Sequence, residues 1–171
     1  MNIYNYINEY NWFKIKDILP DITVIKSLNL SNIRLSEFPK MSHITINGDF
    51  WCYNNKLTSF KGCPIVKGDF NCTDNYLTSF EYCPIINGSF YCYNNQITSF
   101  KDCPDIGGKL YSDFEIFNKI HEYSKEKKIS LLDAQVELYN QQNKELLEHI
   151  DKFPDLVAYI RLKELNKLLC A

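Results

Sequence analysis

The sequence predicts an α/β solenoid, a short stack of parallel strands with an N-terminal helical cap and C-terminal helices. Three observations predict it. The octet Gly48-Asp49-Phe50-Trp51-Cys52-Tyr53-Asn54-Asn55 returns as Gly68-Asp69-Phe70-Asn71-Cys72-Thr73-Asp74-Asn75 and as Gly88-Ser89-Phe90-Tyr91-Cys92-Tyr93-Asn94-Asn95, a period of 20 residues. Within each octet, Phe and Cys stand two apart and so share one face of a strand. Beyond Asp113 the pattern stops: there is no Gly, the only Pro is Pro154, and apolar residues take helical spacing. A fixed period of this size means stacked units, none able to bury its apolar face alone. The expected divisions are a cap over residues 1–27, a solenoid over 28–112 and a helical cap or bundle over 113–171.

A solenoid exposes its core at its ends and needs caps there. In the first segment, Ile3, Tyr6, Ile7 and Tyr10 are spaced like a helix face, Trp12, Phe13, Ile15, Ile18 and Leu19 add apolar mass, and Pro20-Asp21 breaks the run. Asn, Glu and Lys interrupt every apolar stretch, unlike a secretory signal. A degenerate unit follows: Leu28, Leu30, Leu35, Phe38 and Met41 lie 22 residues before Phe50, Cys52, Leu57, Phe60 and Cys63, with an insertion of two near Ser42 and His43.

The three strong units continue alike, through Leu57-Thr58-Ser59-Phe60 to Cys63-Pro64, through Leu77-Thr78-Ser79-Phe80 to Cys83-Pro84, and through Ile97-Thr98-Ser99-Phe100 to Cys103-Pro104. Phe50 and Cys52 should point inward, with Phe60 and Cys63 closing the coil from behind. Each buried Phe contributes roughly 1.5–3 kcal/mol. The prolines set the turn back to the next strand. A fading unit, Leu110, Ser112 and Phe117, ends the stack, with Glu115 in the place of Asn95.

In the tail, Phe114, Phe117, Ile120 and Tyr123 are spaced as one helix. Ser130 and Asp133 form a weak capping box for a helix of about five turns carrying Leu132, Val136, Tyr139, Leu146 and Ile150. Asp151-Lys152-Phe153-Pro154 breaks it. Leu156, Tyr159, Leu162, Leu165 and Leu169 mark a last helix.

The kernel Phe-x-Cys-x-x-Asn-x-Leu resembles the second half of the leucine-rich repeat, whose period is roughly 20–29 residues. The resemblance covers about residues 28–112. It implies that Asn55, Asn75 and Asn95 bond backbone groups of neighbouring turns as a ladder, and that little or no helix backs the strands. The fuller Gly-x-Phe-x-Cys-x-x-Asn-x-Leu-Thr-Ser-Phe-x-x-Cys-Pro pattern looks like repeats common in tailed-phage genomes. That resemblance implies an accessory viral protein in the cytoplasm of a bacterial host, binding a host or host-defence protein.

Composition narrows the function. Net charge is −2, from 19 basic and 21 acidic residues, which disfavours nonspecific duplex binding. No apolar run approaches the roughly 18 residues of a membrane span. Seven Cys could suggest disulfides, but Cys52, Cys72 and Cys92 hold one place in the coil and Cys63, Cys83 and Cys103 another. Recurrence at core places reads as small buried hydrophobes in a reducing compartment. Their spacing fits no zinc motif, and no His recurs with them. Cys170, one residue from the C-terminus, falls outside the pattern. His43, His121 and His149 are scattered, and no Walker loop, nucleophile elbow or His-Glu-x-x-His occurs. A helical ubiquitin-ligase domain, as some bacterial effectors join to leucine-rich repeats, finds no match in this short tail. The expectation is a non-enzymatic protein without cofactor or metal.

The outward positions carry the functional signal. One column reads Asn29, Trp51, Asn71, Tyr91, Tyr111; the next reads Ser31, Tyr53, Thr73, Tyr93, Asp113. Rings of this size are enriched at binding hot spots. They are also good strand formers that cover one another. The candidate partner-binding residues are Trp51, Tyr53, Asn71, Thr73, Tyr91, Tyr93 and Tyr111, with another protein as partner. Two alternatives stand beside this. Single-stranded nucleic acid could stack on the rings, although Lys56 and Lys109 are opposed by Asp49 and Asp69. Or the C-terminal helices are the effector and the solenoid is scaffold.

Overall fold

The computed structural model describes residues 23–169, with side chains to residue 165. The expected helix face at Ile3 to Tyr10, its neighbours up to Asp21, and Cys170 lie outside the described residues. The chain divides into two compact units. The first reaches Ile97 and resumes over Asp102–Asp113. The second comprises Thr98–Lys101 and the chain from Phe114 onward.

The first unit is a solenoid of parallel strands, about four turns long. β2 (Leu28–Asn29), β4 (Phe50–Trp51), β6 (Phe70–Asn71), β7 (Phe90–Tyr91) and β8 (Leu110–Tyr111) form one five-stranded parallel sheet in that order. The register pairs Leu28 with Phe50, Phe50 with Phe70, Phe70 with Phe90 and Phe90 with Leu110. The degenerate unit and, at Leu110, the fading unit therefore stack in the expected frame, but Phe117, expected in the fading unit, lies in the helix Glu115–Lys127 of the second unit.

The sequence pattern does not show that each coil carries a second strand. β1 (Val24–Ile25), β3 (Thr45–Ile46) and β5 (Ile65–Val66) form a three-stranded parallel sheet. Bridges from Val66 to Ile86 and from Ile86 to Ile106 carry it through the stack. Ile25, Ile46, Val66, Ile86 and Ile106 point inward and are buried. β1 falls inside the segment expected to be cap. The insertion is where the spacing placed it: three residues separate Met41 from Thr45, against one between Cys63 and Ile65.

Between the two strands of a coil the chain turns at Gly48, Gly68, Gly88 and Gly108, each N–H bonding the coil before. A Cβ on Gly68 would stand 2.4 Å from the carbonyl carbon of Gly48, so the backbones pass too closely for any side chain. At the far end of each strand, Asn32, Asn54, Asp74 and Asn94 have φ between 52° and 61°. Asn and Asp tolerate that left-handed region better than other side chains.

Phenyl rings fill the interior. Phe50 and Phe70 stack at 5.1 Å and 13°, Phe70 and Phe90 at 5.4 Å and 16°. Phe60 and Phe80 meet this column at 6.1–6.3 Å from the back of the coil. Cys52, Cys72, Cys92 and Cys63 are buried, Cys83 and Cys103 half-buried, and all six are free thiols.

Asn55, Asn75 and Asn95 form the expected ladder. Asn75 Nδ2 donates to the carbonyls of Cys52 and Cys72, each at 3.0 Å, while its Oδ1 accepts the N–H of Leu57 at 3.0 Å. Asn55 repeats this with Leu30 and Cys52, and Asn95 with Cys72 and Cys92.

The second unit is helical: α1 (Glu115–Lys127), α2 (Leu131–Asn140), α3 (Lys144–Glu148), a 3₁₀ turn (Ile150–Lys152) and α4 (Pro154–Leu169). Ser130 caps α2 by accepting the N–H of Asp133 at 3.0 Å. The expected five-turn helix is two helices. Gln142 takes φ 58°, and Asn143 starts α3 by accepting the N–H of Leu146 at 2.9 Å. Phe100, Phe117 and Phe153 cluster at 4.8–5.8 Å, which ties Thr98–Lys101 to this unit. That segment was expected in the solenoid.

Candidate functional site

The five-stranded sheet presents its outer face in two columns, because residues alternate sides along each strand. Phe70 and Cys72 point in; Asn71 and Thr73 take the other side. Trp51, Asn71 and Tyr91 are register partners on successive strands. Trp51, Tyr53 and Tyr91 are half-buried, while Tyr93 and Tyr111 are 40% and 38% exposed. Tyr91 and Tyr111 stack at 4.6 Å and 6°, one strand apart.

The coils alternate in chemistry. Asn29 and Ser31 share the first coil, Trp51 and Tyr53 the second, Asn71 and Thr73 the third, Tyr91 and Tyr93 the fourth. Both polar strands fold their Asn the same way. Asn71 Oδ1 accepts the N–H of Thr73 at 3.1 Å, and Asn29 Oδ1 that of Ser31 at 2.9 Å. The side chain bends along its own strand rather than standing off the sheet. Thr73 is 3% exposed and Ser31 6%, and neither hydroxyl has a hydrogen-bond partner among the described residues. Thr73 is thus on the expected face but covered, so contact with a partner requires neighbouring side chains to move.

Carboxylates border the rings. Asp49 Oδ1 accepts the N–H of Asp69 at 2.8 Å, and Asp69 Oδ1 that of Ser89 at 2.7 Å. Ser27 and Ser89 hydroxyls continue this ladder at either end. The repeated Gly-Asp signals the ladder, yet only the close approach of the coils reveals it. Partial burial raises the Tyr91 phenol above its ordinary range, and the Asp69 carboxylate adds to that; a hydrogen bond with Ser89 opposes both. Tyr91 is therefore neutral at physiological pH. Asp113, expected in the second outward column, turns its carboxylate to the backbone of the coil before it.

Among the described residues the thiols offer no ready nucleophile. Burial pushes Cys52, Cys63, Cys72, Cys83, Cys92 and Cys103 well above the usual thiol range, and neighbouring thiols or carboxylates reinforce this for all but Cys52. Among the described residues, no three His, Cys, Asp or Glu side chains gather as a metal site, and no helix is long and apolar enough to cross a membrane.

Two further surfaces are exposed. Val24, Ile65 and Ile85 stand at 46–62% exposure on the outer side of the other sheet, with Thr45 between the first two. On α4, Leu156 is buried but Tyr159, Leu162 and Leu165 face solvent. Comparisons with protein-family models, curated proteins and solved structures find no match.

Proposed function

We propose that the chain is a non-enzymatic protein-interaction module whose outward ring face docks another protein. The observation that carries it is the set of partly exposed rings Trp51, Tyr53, Tyr91, Tyr93 and Tyr111, held on a hydrogen-bonded ladder. Rigid aromatic groups bring contact area at small entropic cost. A pre-formed backbone lowers the ordering penalty of association. The likeness of the repeats to those of tailed phages points to a host or host-defence protein as partner, met in a bacterial cytoplasm.

Single-stranded nucleic acid is the weaker reading, because Asp49 and Asp69 border the rings where phosphates would have to lie. A role for the helical unit as effector is favoured by the solvent-facing Tyr159, Leu162 and Leu165.

Affinity capture from the lysate of a bacterial host, read by mass spectrometry, tests the three together. Trp51→Ala with Tyr91→Ala should lose the captured partner, while Leu162→Glu with Leu165→Glu should keep it. Retention by a folded Trp51→Ala/Tyr91→Ala variant sinks the ring-face reading. Loss only with the α4 pair transfers the function to the helices. Saturable binding of a labelled single-stranded oligonucleotide at low salt would favour the nucleic-acid reading.

A further inference from the structure

The outer ring column has a ring missing. Inside the solenoid, Phe50, Phe70 and Phe90 stack without interruption, one per coil. Outside, Tyr111 and Tyr91 stack in the same manner at 4.6 Å. The next register position is Asn71, and the one after that is Trp51. Trp51 and Tyr91 are thus two strand spacings apart, roughly 9–10 Å. The Asn71 side chain is drawn down along its strand to Thr73. The interval between the rings therefore matches one planar group, about 4.8 Å from each neighbour, close to the Tyr91–Tyr111 spacing.

The surroundings select the charge of that group. Asp49 bonds the N–H of Asp69, and Asp69 bonds the N–H of Ser89, so the two carboxylates bracket the coil that carries Asn71. Each spends Oδ1 on the backbone bond. Thr73, two residues from Asn71 on the same face, holds a hydroxyl without a partner among the described residues. Aromatic faces, carboxylates and a spare hydroxyl suit a flat cation that donates hydrogen bonds at its edge. An ammonium is compact and strongly hydrated, whereas a guanidinium is planar, stacks on rings and pairs with carboxylates.

We infer that the gap over Asn71, between Trp51 and Tyr91, receives an arginine side chain of the partner protein, with its guanidinium between the rings and its N–H groups toward Asp49 and Asp69. This rests on the ring-face reading and names its anchor. The cation fills the position that a ring fills in the next two coils. The adjoining Tyr53 and Tyr93 cover the stem, and Thr73 supplies an acceptor once the side chains over it move.

The test uses the full chain and four blocked tripeptides, acetyl-Gly-X-Gly-amide, with X as arginine, lysine, citrulline or tryptophan. Each is titrated while the Trp51 indole N–H is followed by NMR, assigned through Trp51→Phe. The arginine peptide should shift that resonance and bind about fivefold tighter than the lysine and citrulline peptides. Asn71→Tyr completes the ring column and should weaken arginine binding at least tenfold without lowering the melting temperature. Asp69→Asn keeps the Oδ1 acceptor for Ser89, removes the charge, and should weaken binding about threefold. The inference is overturned if the citrulline peptide binds as well, if the tryptophan peptide binds best, if no peptide shifts the indole, or if Asn71→Tyr binds arginine unchanged. Failure here, with partner capture still lost in Trp51→Ala/Tyr91→Ala, leaves protein binding standing with another anchor. Peptide binding with capture retained in that variant does the reverse.

Discussion

The Asp113 carboxylate accepts the backbone N–H of Asn94 at 2.7 Å. Its second oxygen accepts the N–H of Asn95 at 3.2 Å. In the coils before, the equivalent N–H groups bond backbone carbonyls: Asn54 to Thr73, Asn55 to Asp74, Asp74 to Tyr93, and Asn75 to Asn94. One side chain therefore replaces two carbonyls of a coil that is not built, as a capping residue does at the end of a helix.

Removing this cap should loosen the last coil. Asp113→Ala leaves two N–H groups to water and should cost about 1 kcal/mol, since the site is exposed. Asp113→Asn keeps one acceptor and should cost less. Urea unfolding measures both, and hydrogen exchange at Asn94 and Asn95 should quicken before other amides do. Unchanged exchange in Asp113→Ala would show that the carboxylate holds nothing.

The Asn ladder should show a gradient. Asn55 and Asn75 are buried, whereas Asn95 is half-buried. Asn75→Ala strands the N–H of Leu57 and takes one of two side-chain donors from each of the carbonyls of Cys52 and Cys72, which keep Asn55 and Asn95. At about 1–3 kcal/mol for that one stranded buried N–H, the loss should be about 2 kcal/mol. At position 95 water can take over part of the bonding, and Asn95→Ala should cost about half as much. Equal losses at 75 and 95, measured by the urea midpoint, would contradict the burial argument.

The solenoid register was open to a reading of the sequence because repetition multiplies a weak signal, whereas the Asp113 cap was not. Phe50, Phe70 and Phe90 at one spacing define the register, and Leu28 and Leu110 extend it even where the octet decays. The second sheet escaped for a physical reason. Its strands are two residues long or shorter, and Val66, Ile86 and Ile106 lie between the proline of one unit and the glycine of the next, outside the repeated octet. The break at Gln142 escaped because a left-handed Gln is uncommon, and the cap at Asn143 reads as one polar residue among several. Phe100 belongs to the repeat by spacing and to the helical unit by packing.

At the candidate site the alternation of ring-bearing and polar strands was legible, since it needs only the period and the two faces. The stacking of Tyr91 on Tyr111, the bent Asn71 and the covered Thr73 were not. The stacking depends on a ring one coil away, Thr73 on what packs over it in space, and Asn71 on which of its possible partners it takes, and no rule of spacing along the chain encodes these. The carboxylates of Asp49 and Asp69 read as surface charge; in the structure each also holds the next coil's backbone.

Alkaline pH should unfold the protein through its thiols. The buried thiols titrate well above the ordinary range when folded, but near 8.5 in an unfolded chain. Below about pH 8.5 both states keep their protons and the stability is intact. As pH rises past that value toward the raised folded values, the unfolded chain sheds protons that the folded chain retains, so stability falls. Each such thiol contributes up to about 1.4 kcal/mol per pH unit in that window. The melting temperature should be flat near neutrality and drop steeply above about pH 8.5, with a shallower slope in Cys72→Ala. Iodoacetamide should leave Cys52, Cys63 and Cys72 unmodified in the folded chain and alkylate them in denaturant, as peptide mass mapping would show. Rapid alkylation of Cys72 under native conditions would place the thiol column outside the coil and remove the interior on which the ring face is built.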